Sequence, residues 1–327
     1  MTEPRRRTTT LTRQDRPRPA PGPGTDPGRV FEAYERAGHA DPGEAWAAFT
    51  AAWNWASPLP HAVPRHGPGG PPVARPVPGG YALFGRWRLP ADTATGPWLA
   101  LPLAAPRETA REAREAREDA TESRPDRPDV FVVASRVLPR QTAGGLRAVR
   151  STAGPDTEFR LDGVHVPAGF TTHSSGTALP ARDDGFLWTA VTGMALGAAS
   201  RLTDELAVLG PSPVAGPAVS PAAAAAELSG LLSGERLGFT AELYNRPGLG
   251  QLISLAAREP LADRVRRAAR LVHHVVTASY ERAIPFPSDG GHNPLASLVT
   301  DSAAILHHLR FTVDVRPTED IGSRTGR

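Results

Sequence analysis

Residues 79–90 read Gly-Gly-Tyr-Ala-Leu-Phe-Gly-Arg-Trp-Arg-Leu-Pro. Gly79-Gly80 signals a turn, and Tyr81, Leu83, Gly85 and Trp87 then recur at every second position. That is the period of a strand with one face on a core. Three further stretches follow: Trp98–Leu103 (WLALPL), the β-rich run Val130–Val133, and the alternating Phe159–Pro167 (FRLDGVHVP). With Gly and Pro between them, they predict a β domain over residues 79–170. It is interrupted at 107–129 by the charged run RETAREAREAREDATESRPDRPD, read as an exposed insertion whose Glu/Arg spacing supports a short solvated helix.

Outward from this domain the period changes to that of a helix. Leu187, Val191, Met194, Ala198, Leu202, Leu206 and Leu209 form one apolar stripe. Ala222–Leu232 and Leu237–Tyr244 make a second region, with a break expected near Gly234. A third stripe runs from Leu261 to Ala283, and a fourth, entered by Asn293-Pro294, from Leu295 to Leu309. Four amphipathic segments with short breaks predict an antiparallel four-helix bundle over 184–320. On the N-terminal side Val30, Phe31, Tyr34 and Ala37 have helical spacing, as do Trp46, Phe49, Ala52 and Trp53 after the helix start Asp41-Pro42. This gives a residual helical part over 29–58. Residues 1–28 are expected to form a disordered tail, and the Pro/Gly-rich 59–78 a linker. The expected fold class is α+β.

Composition removes several chemistries. All 37 Lys+Arg side chains are Arg, and there is no Cys among 327 residues. A Schiff-base or Walker-A lysine is therefore excluded, as are thiolate catalysis, disulfides and thiolate metal sites. A net charge of +3 is small for this length and gives no concentrated basic face, so no nucleic-acid partner is expected. No apolar run is long enough to span a bilayer and no apolar segment follows the basic start, so the expected location is cytoplasmic. The adjacent His273 and His274 point about 100° apart on a helix and cannot chelate one metal together, so no metal site is expected. The arginines 264, 266, 267 and 270 read as a solvated helix face.

Four strings in chain order resemble the acyl-CoA dehydrogenase fold, and more narrowly its branch of two-component flavin-dependent (group D) monooxygenases. They are Ala40–Trp46; Gly79–Trp87 followed by Trp98; Gly145-Leu146-Arg147 followed by Asp162–Pro167; and Asn293-Pro294-Leu295 with Asp301 and His308–Asp314. The resemblance implies a reduced N-terminal helical part, a central β domain and a C-terminal four-helix bundle. It implies FMN or FAD as cofactor and a flavin reductase and a small-molecule substrate as partners. The bundle would associate as a homo-oligomer, dimer or tetramer, or as a hetero-oligomer. By position, His308 would be the base beside the flavin. Asp301, seven residues earlier on one helix face, or the Gly290-Gly291-His292 loop would orient it. Trp87, Ala91 and the Gly290-Gly291-His292 turn would meet the cofactor. Trp46 and Trp87 would line a pocket between domains.

This chain also departs from that pattern. The helical region that normally precedes the second helix is replaced by the tail, Leu89-Pro90-Ala91-Asp92 stands where a hydroxyl donor and Gly are expected, and Ser297 and Thr300 stand in place of Arg. Two readings follow. One is a flavin-dependent monooxygenase acting on an aromatic or polyketide-like intermediate of secondary metabolism, such as antibiotic biosynthesis. The other is a flavin-free protein of the same fold, either a non-redox cyclase or dehydratase or a degenerate subunit of a hetero-oligomer.

Overall fold

The computed structural model describes residues 21–67, 70–89, 98–104, 127–135, 147–150, 157–179, 184–208, 220–244, 255–283 and 294–314. Within them the fold is α+β, with six α-helices, two antiparallel sheets and one short parallel pair of strands. Helix α1 (Pro27–Ala40) starts at Asp26, whose carboxylate accepts the Arg29 N–H at 3.0 Å. Helix α2 (Pro42–Ala52) starts the same way, with Asp41 accepting the Glu44 N–H at 2.9 Å. Both use an Asp N-cap followed by Pro, whose missing N–H costs nothing in a first turn. The expected tail is therefore too long at its end, since Asp26-Pro27 is already a helix start and Gly28 is buried.

Strand β1 (Trp53–Asn54) pairs in parallel with β10 (Thr177–Ala178). Strands β2 (Val63–Arg65) and β3 (Val73–Val77) both pair antiparallel with β4 (Gly80–Leu89). Residues 59–78 are thus not a free linker but supply one edge of the first sheet. Pro64 and Pro76 disguise this, because a residue without an N–H is tolerated only where a strand has an unpaired side. Strand β8 (Thr157–Pro167) pairs along the length of β4, and β7 (Arg147–Arg150) pairs with β8. The β4–β8 register slips between Leu83 and Phe84, and the extra residue is Gly163 at φ +77°. A bulge of that kind needs a residue able to adopt positive φ.

The second sheet holds β5 (Trp98–Pro102), β6 (Val130–Ala134) and β9 (Thr171–Thr172). Leu83, Trp87, Leu101, Phe131, Phe159 and Leu161 from the two sheets form one apolar core. Most of the charged insertion lies outside the described residues. Its last residue, Asp129, accepts the Ser174 N–H at 2.7 Å.

Helices α3 (Asp184–Val208), α4 (Pro221–Tyr244), α5 (Leu255–Ala283) and α6 (Pro294–Asp314) form the C-terminal part. Helix α4 runs unbroken through Gly234, where a break was expected. A glycine costs a helix about 1 kcal/mol relative to Ala. Burial of Leu228, Leu232, Phe239 and Leu243 on the same helix outweighs that cost. Helix α1 lies on α3 backbone to backbone. A Cβ on Gly197 would come within 2.0 Å of the Glu35 carbonyl oxygen, and one on Gly38 within 2.2 Å of the Met194 oxygen. The Arg236 guanidinium reaches Glu35 at 2.7 Å and ties α4 to α1. No described helix is long and apolar enough to cross a membrane.

Candidate functional site

The sheets, the N-terminal helices and α6 meet at a short 3-10 turn, Ala168–Phe170, between β8 and β9. Gly169 permits the meeting, since a Cβ there would lie 2.2 Å from the Ala304 carbonyl oxygen of α6. Three ring nitrogens converge on carbonyls of this turn and of Thr171, the residue that follows it. Trp46 Nε1 donates to Ala168 O at 3.4 Å, and Trp55 Nε1 donates to Thr171 O at 3.1 Å. His308 Nδ1 lies 3.0 Å from Gly169 O. The Thr171 hydroxyl adds a fourth bond, to Ala168 O at 2.8 Å.

His308 is 0% exposed. Its ring centroid is 4.3 Å from that of Trp55, edge-on at 66°, and 4.7 Å from that of Trp46. Because a carbonyl only accepts, Nδ1 carries the proton of the neutral ring and Nε2 is the basic nitrogen. Burial pushes the pKa down to about 3, against a smaller upward pull from the Gly169 carbonyl. The ring is therefore neutral near pH 7. Its conjugate acid lies far below the range that suits a general base, which works best with a pKa near the operating pH.

Asp301 does not orient this imidazole. The seven intervening steps place it about 10 Å along the helix from His308. It is exposed and lies beside Gly43 at the start of α2, where a Cβ would be 3.6 Å from the Asp301 Cβ. The group that fixes the ring is the Gly169 carbonyl, 139 positions away in the chain.

Trp87 sits in the β-domain core rather than at a pocket between domains. It is 0% exposed, donates from Nε1 to Pro102 O at 2.9 Å, and stacks on Phe159 at 15° and 6.3 Å. Trp46 does lie at the junction, packed on His308. Trp98 is partly exposed there and stacks on Phe170 at 10° and 5.6 Å. Ala91, Gly290, Gly291 and His292 lie outside the described residues. Sequence reading missed Gly169 and Trp55 as partners of His308. His307, which helical geometry turns further out than His308, is exposed, and its pKa is lowered by partial burial and by His165 on β8. Among the described residues no three His, Asp or Glu side chains come together as a metal site.

A flavin is the group implied by the sequence strings. The described candidates give it no surface. Trp87 and His308 are enclosed by protein on all sides, and Asp301 stands apart from both.

No family model matches this chain. No curated protein matches it either. Solved structures similar to it include an acyl-CoA dehydrogenase, a monooxygenase and a hydroxylase. The HsaA monooxygenase from M. tuberculosis has 14% identity over 87% of this chain and 78% of its own, with a TM-score of 0.36. Butyryl-CoA dehydrogenase from Megasphaera elsdenii has 14% identity over 89% and 81%, with a TM-score of 0.35. The 3-HSA hydroxylase from Rhodococcus sp. RHA1 has 16% identity over 86% and 77%, with a TM-score of 0.36.

Proposed function

We propose that this chain is a flavin-free protein of acyl-CoA dehydrogenase-like architecture that works as a subunit of an oligomer rather than by flavin chemistry. The observation that carries the reading is the closure of His308. At the position where the resembled branch has its base, this chain has an imidazole enclosed by Trp46 and Trp55, bonded to a backbone carbonyl and held neutral. The same closure removes the acid/base group that a cyclase or dehydratase would use, which favours the subunit role over that alternative.

The test is an absorption spectrum of the purified protein, followed by titration with FMN, FAD and their reduced forms. No visible absorbance and no binding are expected. A yellow protein, or tight binding of reduced flavin, overturns the reading.

One observation favours a second reading, the flavin-dependent monooxygenase acting on an aromatic or polyketide-like intermediate. Trp98, the second Trp of the strand string, keeps part of its ring exposed at the junction. In that case a partner reductase supplies reduced flavin, the flavin supplies the oxygen chemistry, and Trp98 with Phe170 offers a flat apolar surface to a ring.

A further inference from the structure

The register of the first sheet sets arginines abreast. Arg65 of β2 stands opposite Arg86 of β4, Arg86 opposite Arg160 of β8, and Arg160 opposite Arg147 of β7. The row crosses all four strands, with about 4.8 Å between neighbours. One step along, Pro64, Trp87 and Phe159 are buried on the core side. Side chains alternate between the faces of a sheet, so Arg65, Arg86 and Arg160 take the outer one. Arg65 and Arg160 are exposed, and Arg86 is half-buried. Among the described residues none of these three is in an ion pair.

Like charges directly opposite each other on a sheet repel, so the row is a cost that the fold carries. The rest of the face does not cancel it. Arg75 and Arg88 lie on the same side, against the carboxylates of Glu158 and Asp162. A chain charge of only +3 conceals this, because the fold gathers on one face arginines that the sequence scatters over separate strands. Beside the row is an aromatic surface. Phe84, two residues before Arg86 on β4, is half-buried, and the Arg75 guanidinium lies 4.8 Å over its ring. Val73, opposite Phe84, is 41% exposed.

We propose that this face binds single-stranded nucleic acid, with phosphates along the arginine row and a base stacked against Phe84 and Arg75. The planar fork of a guanidinium matches phosphate oxygens two at a time. A basic track alone would suit any polyanion. A ring beside it is what a single strand uses, since every base has a face to stack, and an acidic peptide has no use for it. A duplex is disfavoured by shape. Its major groove admits a projecting helix or ribbon, and this face is made of strands lying flat in a sheet. The sequence ahead of Pro21 adds Arg5, Arg6, Arg7, Arg13, Arg16 and Arg18 against Glu3 and Asp15, the composition of a basic arm. This site goes beyond the subunit reading above and does not depend on it.

The experiment is fluorescence anisotropy on the full chain, with dye-labelled oligouridylate and oligothymidylate of about 15 nucleotides. Binding is expected, and it should weaken with salt, since each phosphate contact adds ~0.7 to the log–log slope for a single strand. Arg65→Gln/Arg160→Gln, at exposed positions, should keep the fold and take about 1.4 off that slope. Phe84→Leu should weaken binding about tenfold and leave the slope as it is. Arg267→Gln/Arg270→Gln, on the exposed side of α5, should change neither. No binding to either strand at low salt overturns the proposal. So does a duplex that binds more tightly, or poly-glutamate that competes as well as the oligonucleotide. Sheet variants that leave affinity and slope unchanged also overturn it, and hand the binding to the Arg-rich N-terminus.

Discussion

The imidazole of His308 and the carbonyl of Gly169 are 3.0 Å apart, and that bond closes the junction between the last helix and the β domain. Its loss leaves a buried acceptor unmet and a ring-sized void between two indoles. His308→Ala is therefore expected to destabilise the protein by roughly 2–5 kcal/mol in urea denaturation. Asp301→Asn, at an exposed position, should stay within about 0.5 kcal/mol of wild type. A larger loss for Asp301→Asn than for His308→Ala would place the orienting group wrongly.

The same ring makes stability depend on pH, with a definite sign. Its folded pKa, about 3, lies below the unfolded value of 6.5. Between those values the unfolded chain binds a proton that the native chain refuses. The contribution is present above pH 6.5 and is lost as pH falls toward 3. The slope from this one group approaches about 1.4 kcal/mol per pH unit. His61 and His307, also lowered by burial, act in the same direction. Denaturation at a series of pH values, compared with His308→Asn, isolates the share of His308. An identical slope in the variant would count against it.

Much of this arrangement was legible beforehand, and the reasons differ by element. Alternation at Tyr81, Leu83 and Trp87 marked β4 because one side of that strand faces the core. Asp41-Pro42 marked the start of α2 because capping is a local event. The bond of His308 was not legible, since Gly169 becomes its partner only after the chain folds back. Gly234 misled as a helix break because propensity is weak beside the burial of Leu232 and Phe239. Pro64 and Pro76 hid two strands because their role depends on which neighbour lies on which side.

Trp87→Phe should cost about 1–3 kcal/mol, since Pro102 O loses its donor inside the β core. Trp87→Ala should cost about 3–5 kcal/mol. A ligand-facing tryptophan would show a small stability effect instead, together with a change in flavin affinity.

The glycines of α1 and α3 give the sharpest steric contrast. Gly197→Val forces a side chain into the Glu35 carbonyl. It is expected to cost about 3 kcal/mol or more, seen as a lower Tm. Gly230→Ala meets no described atom and should raise helix stability in the isolated subunit by about 1 kcal/mol.

The close seating of α1 on α3 also changes what counts as one unit of this chain. Val30, Phe31 and Tyr34 belong to the same core as Met194, Leu202, Phe239 and Val265, which Ala100, Val130 and Val132 of the second sheet also join, while the opposite strand faces form a second core. In order of folding cooperativity the molecule is a helical body with a β sandwich spliced into it, not three pieces in a row. Amides of α1 should exchange with solvent in step with those of α3, although a whole β domain separates them in the chain.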